Sequence, residues 1–115
     1  MSPHAIQLRR AWTLDGRRVD LPTTWPGGPP GRITLTRRFN RPPIVACAER
    51  LTLRLRSVPG LSAVRLNGVE LARERGEDLW LLPPEVPAAS SIELDAEPPG
   101  DGATWGEVAL LIEAR

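Results

Sequence analysis

The chain has 115 residues, a formal net charge of +1, one cysteine, one histidine, no tyrosine and fifteen basic residues that are all arginine. That length supports one core and is too short for two. With so few thiols and imidazoles, an internal disulfide, a zinc centre and a His-dependent nucleophile are excluded, and the absence of lysine removes lysine chemistry and the Walker-type phosphate loop.

The chain runs as short apolar-periodic segments between Pro and Gly punctuation, with four Pro-Pro pairs (Pro29-Pro30, Pro42-Pro43, Pro83-Pro84, Pro98-Pro99) that leave little room for long helices. In chain order, Ile6, Leu8 and Trp12 alternate with polar neighbours and predict a half-buried strand, followed by a short one near Arg18 to Leu21. Ile33, Leu35 and Phe39 predict the next, and Leu51, Leu53 and Leu55 another. Val64 and Leu66 lead into Asn67-Gly68 and out through Val69 and Leu71. Both central positions of a type I′ turn need positive φ, so this is the clearest hairpin signal in the chain. Strands at Leu79 to Leu82, Ser91 to Asp95 and Trp105 to Ala114 complete a set of about eight or nine. The last is apolar on both phases, with Val108, Leu110 and Ile112 on one and Ala109 and Leu111 on the other. It is therefore either central and covered on both faces or covered by a partner chain. The expectation is one all-β domain over residues 1–115, an antiparallel β-sandwich of jelly-roll type.

The longest purely apolar run is Val108 to Ile112, and the first ten residues contain no export or membrane-spanning stretch, so the expected location is cytoplasmic with no membrane partner. Charge is divided along the sequence: residues 1–56 carry eleven arginines against three acids, and residues 57–115 carry four arginines against eleven acids. Either early and late strands lie side by side and the charges pair across them, or the surface is bipolar and steers self-association or a polyanion. No nucleic-acid motif or aromatic interleaving accompanies the arginines, so a nucleic-acid partner is not expected.

Few residues carry chemistry. Cys47 lies in the apolar stretch Ile44 to Ala48 and reads as a small buried hydrophobe. The segment Arg73-Glu74-Arg75-Gly76-Glu77-Asp78 gathers charges of alternating sign and reads as a surface loop or binding rim. It is compatible with a structural calcium ion but has no EF-hand spacing, and no cofactor is expected. Trp12 and Trp80 fall on apolar phases. Trp25 lies in a Pro/Gly-rich loop, where it either stacks on a ligand or folds back to plug the sandwich, and Trp105 opens the last strand as a second candidate. The candidate ligand-binding residues are therefore Trp25, Trp105, Arg73, Arg75, Glu77 and Asp78, with no catalytic set and no metal ligands.

Leu21-Pro22 before Trp25, Leu35 to Phe39, Leu51 to Leu55, the hairpin Ala63 to Leu71 and the closing Trp105 to Ile112 together resemble the galactose-binding-like jelly roll that forms the sugar-binding N-terminal domain of family 2 glycoside hydrolases. The likeness spans roughly residues 21 to 113. It implies a non-catalytic accessory module, possessing none of the catalytic barrel of those enzymes, that binds carbohydrate. It departs from the family at the charged loop after the hairpin and at Ala88 to Ser91. The alternative expectation is a protein interaction or assembly module that pairs with a second copy or another protein.

Overall fold

The computed structural model describes residues 4–14, 16–24, 31–44, 48–74, 78–83, 85–100 and 102–114. Among them every regular element is a strand and every named pairing is antiparallel. One sheet has four strands, in the order β1 (His4–Gln7), β12 (Glu107–Ala114), β6 (Glu49–Arg56) and β9 (Leu79–Leu81). The other has six, in the order β3 (Arg17–Val19), β2 (Trp12–Leu14), β5 (Ile33–Asn40), β10 (Ala89–Ala96), β7 (Leu61–Leu66) and β8 (Val69–Glu70). A small third pair joins β11 (Thr104–Trp105) to β4 (Thr23–Thr24).

The two large sheets pack face to face as a sandwich around one apolar cluster. Leu51, Leu53, Leu55, Val108 and Leu110 come from the four-stranded side, and Trp12, Leu35, Val64, Ile92 and Leu94 from the six-stranded side. Each strand supplies them by period-two alternation, so its polar residues point outward. The antiparallel sandwich expected from the sequence is what forms.

The strand inventory differs from expectation: twelve strands are present among the described residues where eight or nine were expected. Two expected strands are split. The run from Ile6 to Trp12 breaks at Ala11, whose φ is 61°, and the chain leaves the four-stranded sheet as β1 and enters the six-stranded sheet as β2. The run from Trp105 to Ala114 breaks at Gly106, with φ 96°, into β11 and β12. Alternation survives both corners because each side of the corner still needs one apolar face, so periodicity alone does not reveal them. The remaining surplus is the two-residue β4.

The Asn67-Gly68 hairpin forms as expected: the two residues have φ of 51° and 84°, and Leu66 pairs directly with Val69. The last strand is central, between β1 and β6. Val108 and Leu110 face the core, while Ala109 and Leu111 on the opposite face are 1% and 4% exposed.

The turn between β6 and β7 contains the most constrained glycine. Gly60 has φ 83°, its carbonyl accepts a 2.9 Å hydrogen bond from the Glu97 N–H, and a Cβ there would collide with the Glu97 backbone carbonyl. Gly68 shares the positive φ, but a Cβ there would meet nothing within 4 Å. In urea unfolding, Gly68→Ala should cost about 1 kcal/mol from backbone strain alone. Gly60→Ala should cost at least about 2 kcal/mol, because a backbone neighbour must also move. Equal losses from the two variants would show that the close approach at Gly60 carries no weight.

Candidate functional site

Of the site residues expected from the sequence, Trp105, Arg73 and Asp78 are described, and Trp105 does not share a surface with the other two. Trp25, Arg75 and Glu77 lie outside the described residues. Trp105 is 1% exposed, and its indole N–H donates a 2.8 Å hydrogen bond to the Pro59 carbonyl. A ring so covered offers no face to a ligand; it is a core piece, held there by the β11–β4 pairing. Trp12 and Trp80 are also interior. Arg73 and Asp78 do come together. An Arg73 nitrogen lies 2.9 Å from an Asp78 carboxylate oxygen, and the guanidinium sits 5.3 Å from the Trp80 ring centroid. With both side chains more than half exposed, the ion pair is worth at most about 1 kcal/mol and serves to close the loop leading into β9. Among the described residues no group of three His, Cys, Asp or Glu side chains could hold a metal ion, and no helix is long and apolar enough to cross a membrane.

The surface that stands out was missed by sequence reasoning. The strand orders bring two sheet edges to the same side of the sandwich, β8 from the six-stranded sheet and β9 from the four-stranded sheet, tied by an isolated bridge between Arg73 and Trp80. Between them lies an apolar groove of about 510 Å³ whose walls include Leu66, Val69, Leu71, Leu81, Leu82 and Pro83. Val69 is 69% exposed and Leu81 44% exposed, the two large hydrophobic side chains singled out as exposed among the described residues. Val69 lies opposite the core residue Leu66 and is stranded at the rim because no further strand follows it. Leu81 pairs with Thr52 while its neighbour Trp80 pairs with the core residue Leu53, so Leu81 faces outward. One signal was available: Leu79-Trp80-Leu81-Leu82 is apolar on both phases, and only one phase can face the core.

The groove has few hydrogen-bonding groups. Its Asn67 amide is already committed, accepting from the Ser91 N–H at 2.9 Å and donating to the Ser90 hydroxyl at 3.3 Å. Its charged member is Glu70, with Glu85 exposed nearby in sequence.

Charge is distributed differently in the two sheets. In the four-stranded sheet, strands from the early and late halves of the chain alternate, and Glu107 faces Arg56 while Glu113 faces Arg50. In the six-stranded sheet the halves are segregated. The three strands from β3 to β5 contain Arg17, Arg18, Arg37 and Arg38 and no acid; the three from β10 to β8 contain Glu93, Asp95 and Glu70 against Arg65. The sheet is bipolar from edge to edge.

On the acidic half, Arg65 grips Asp95 with two hydrogen bonds of 2.6 and 2.8 Å, and Thr34 from β5 donates a third at 2.8 Å. The Arg65 hydrogen bonds hold the Asp95 carboxyl below its ordinary value, and the same contacts raise the Arg65 guanidinium. This network stitches β5, β10 and β7 together on the outer face.

Compared with known proteins, the chain matches no protein-family profile and no curated sequence at a significant level.

A carboxylate whose pKa is lowered by folding contributes stability that is fully present above its unfolded value of about 3.9 and is lost as pH falls through the lower folded value. Asp95→Asn should therefore cost about 1 kcal/mol at neutral pH, discounted for partial solvent screening. It should also flatten the acid limb of the stability curve below about pH 4. Thermal unfolding of both proteins across that range checks this, and parallel acid limbs would contradict it.

Proposed function

We propose that this chain is a non-catalytic assembly module that docks through the groove between Val69 and Leu81, and that its occupant is the basic edge of a second copy. The exposed apolar pair at an open sandwich edge carries this reading, since contiguous apolar surface on an otherwise polar rim marks an interaction site. Charge favours a second copy as occupant. The groove edge carries Glu70, the far edge of the same sheet carries Arg17 and Arg18, and a head-to-tail contact matches acidic rim to basic rim.

The chemistry of the walls argues against a sugar in the groove, because sugar hydroxyls need hydrogen-bond partners and the apolar lining supplies few. The family 2 glycoside hydrolase resemblance supports the non-catalytic, accessory character of the module. The galactose-binding-like jelly roll is the architecture this resemblance implies, and its carbohydrate-binding role would rest on Trp25.

Burying the exposed parts of Val69 and Leu81 contributes only about 2 to 3 kcal/mol, against a cost of association of at least about 4 kcal/mol, so the contact depends on its charges and is weak. Light scattering on the concentrated protein should show species larger than a monomer at about 50 mM salt that dissociate by about 500 mM. Val69→Asp and Arg17→Glu should each abolish them without loss of fold, and combining Arg17→Glu with Glu70→Arg should restore them. A strict monomer at about 1 mM protein would overturn self-assembly. A glycan screen giving a signal that Trp25→Ala removes, with melting temperature unchanged, would favour the carbohydrate reading instead.

A further inference from the structure

The outer face of the four-stranded sheet carries a second concave surface, lined by β1, β12 and β6. The alternation of β6 puts Arg54 and Arg56 on this face together. Register places Ala109 of β12 opposite Arg54 and Glu107 opposite Arg56, with Gln7 of β1 on the far side of Ala109. Arg9 follows β1, and the Leu21-Pro22 segment forms one wall, tied down by a 2.8 Å hydrogen bond from the Leu21 N–H to the Arg9 carbonyl. The enclosed space is about 480 Å³, within the size range of small-molecule sites.

Three guanidinium groups border this space, and among the described residues none of Arg9, Arg54 and Arg56 holds an ion pair. Glu107 is the carboxylate among them, leaving a net charge of +2. Elsewhere on this face, Arg50 approaches Glu74 at 3.4 Å, and Glu113 accepts a hydrogen bond from the hydroxyl of Thr52 at 2.5 Å. Unpaired guanidiniums repel each other, and a bound oxyanion removes that repulsion while using their planar donor pairs. The remaining wall is the Leu21-Pro22 segment, in which Leu21 is buried and the Pro22 ring is the exposed apolar surface.

We propose that this pocket binds a small organic phosphate monoester: the phosphoryl group, a dianion, lies between Arg54, Arg56 and Arg9, and the carbon portion rests on the exposed ring of Pro22. Net charge sets the first half of that assignment and the apolar wall the second. Glu107 limits affinity by repelling the anion.

Titration calorimetry on the full chain tests this with three probes: glucose 6-phosphate, inorganic phosphate and glucose. Glucose 6-phosphate should bind with a Kd of about 0.1 to 1 mM, inorganic phosphate more weakly, and glucose not at all. Phosphate binding as tightly as the ester would overturn the role of the apolar wall. The double variant Arg54→Ala/Arg56→Ala should weaken the ester at least about tenfold with an unchanged circular dichroism spectrum. Glu107→Gln should tighten it about threefold, a gain that a merely structural role for this face does not produce. The proposal fails if neither phosphate nor its ester binds at about 20 mM. It fails equally if glucose binds as well as its phosphate, if the arginine variant binds normally, or if a DNA oligonucleotide binds where the monoester does not.

Discussion

The hydrogen bond from the Trp12 indole to the Leu8 carbonyl, 2.8 Å long and buried, holds the corner on which this architecture turns. Leu8 still belongs to the register of the four-stranded sheet, where its N–H reaches the Val108 carbonyl at 2.9 Å. Four residues later, Trp12 is fully buried in the other sheet. The indole N–H must find an acceptor once the ring is buried, and the carbonyl it finds lies just before the positive-φ residue Ala11. One interaction thus satisfies a buried donor, fixes the crossover and closes this side of the sandwich. Among the described residues, the opposite side has no equivalent strap. There the chain passes from β8 to β9 through the single Arg73–Trp80 bridge, and the gap is the apolar groove.

That asymmetry gives the charge pattern its meaning. The uneven arginine distribution produces two charge arrangements, one in each large sheet. Where early and late strands interleave, acids and arginines face each other across neighbouring strands, and the unmatched cations collect in the pocket beside Ala109. Where the halves stay apart, the sheet becomes polar from edge to edge. Its seam, between β5 and β10, is crossed by the hydrogen bond from Thr34 to Asp95, and Arg65 extends the same network to β7. Sheet topology, more than net charge, decides which surfaces can steer a partner.

Much of this fold was legible in the sequence because its cues are local. Asn67-Gly68 specifies its own backbone, and the two-phase apolarity of residues 108–112 announces a strand covered on both faces. What was not legible depends on strand order. Trp105 follows a Pro/Gly-rich stretch and so resembles a loop residue, yet the pairing of Thr104 and Trp105 with Thr24 and Thr23 draws it inside. Val69 has the pattern of any half-buried strand residue; it is exposed only because β8 ends its sheet, a fact encoded by no window around it. The breaks at Ala11 and Gly106 preserve alternation while changing partners. The arginine pocket joins residues 7–9, 21–22, 54–56 and 107–109, four segments with no sequence relation.

The pairing of the first strand with the last has a consequence for how the molecule comes into being. His4 lies against Ile112 and Gln7 against Ala109, so β1 finds its neighbour only after more than a hundred further residues have been made. During synthesis from the N-terminus, β1 and the inner edge of β6 wait without β12, the strand that separates them in the finished sheet. The early chain therefore carries unpaired backbone and apolar surface until β12 has been made. The segment Val108 to Leu111 then acts as the wedge that completes the four-stranded sheet.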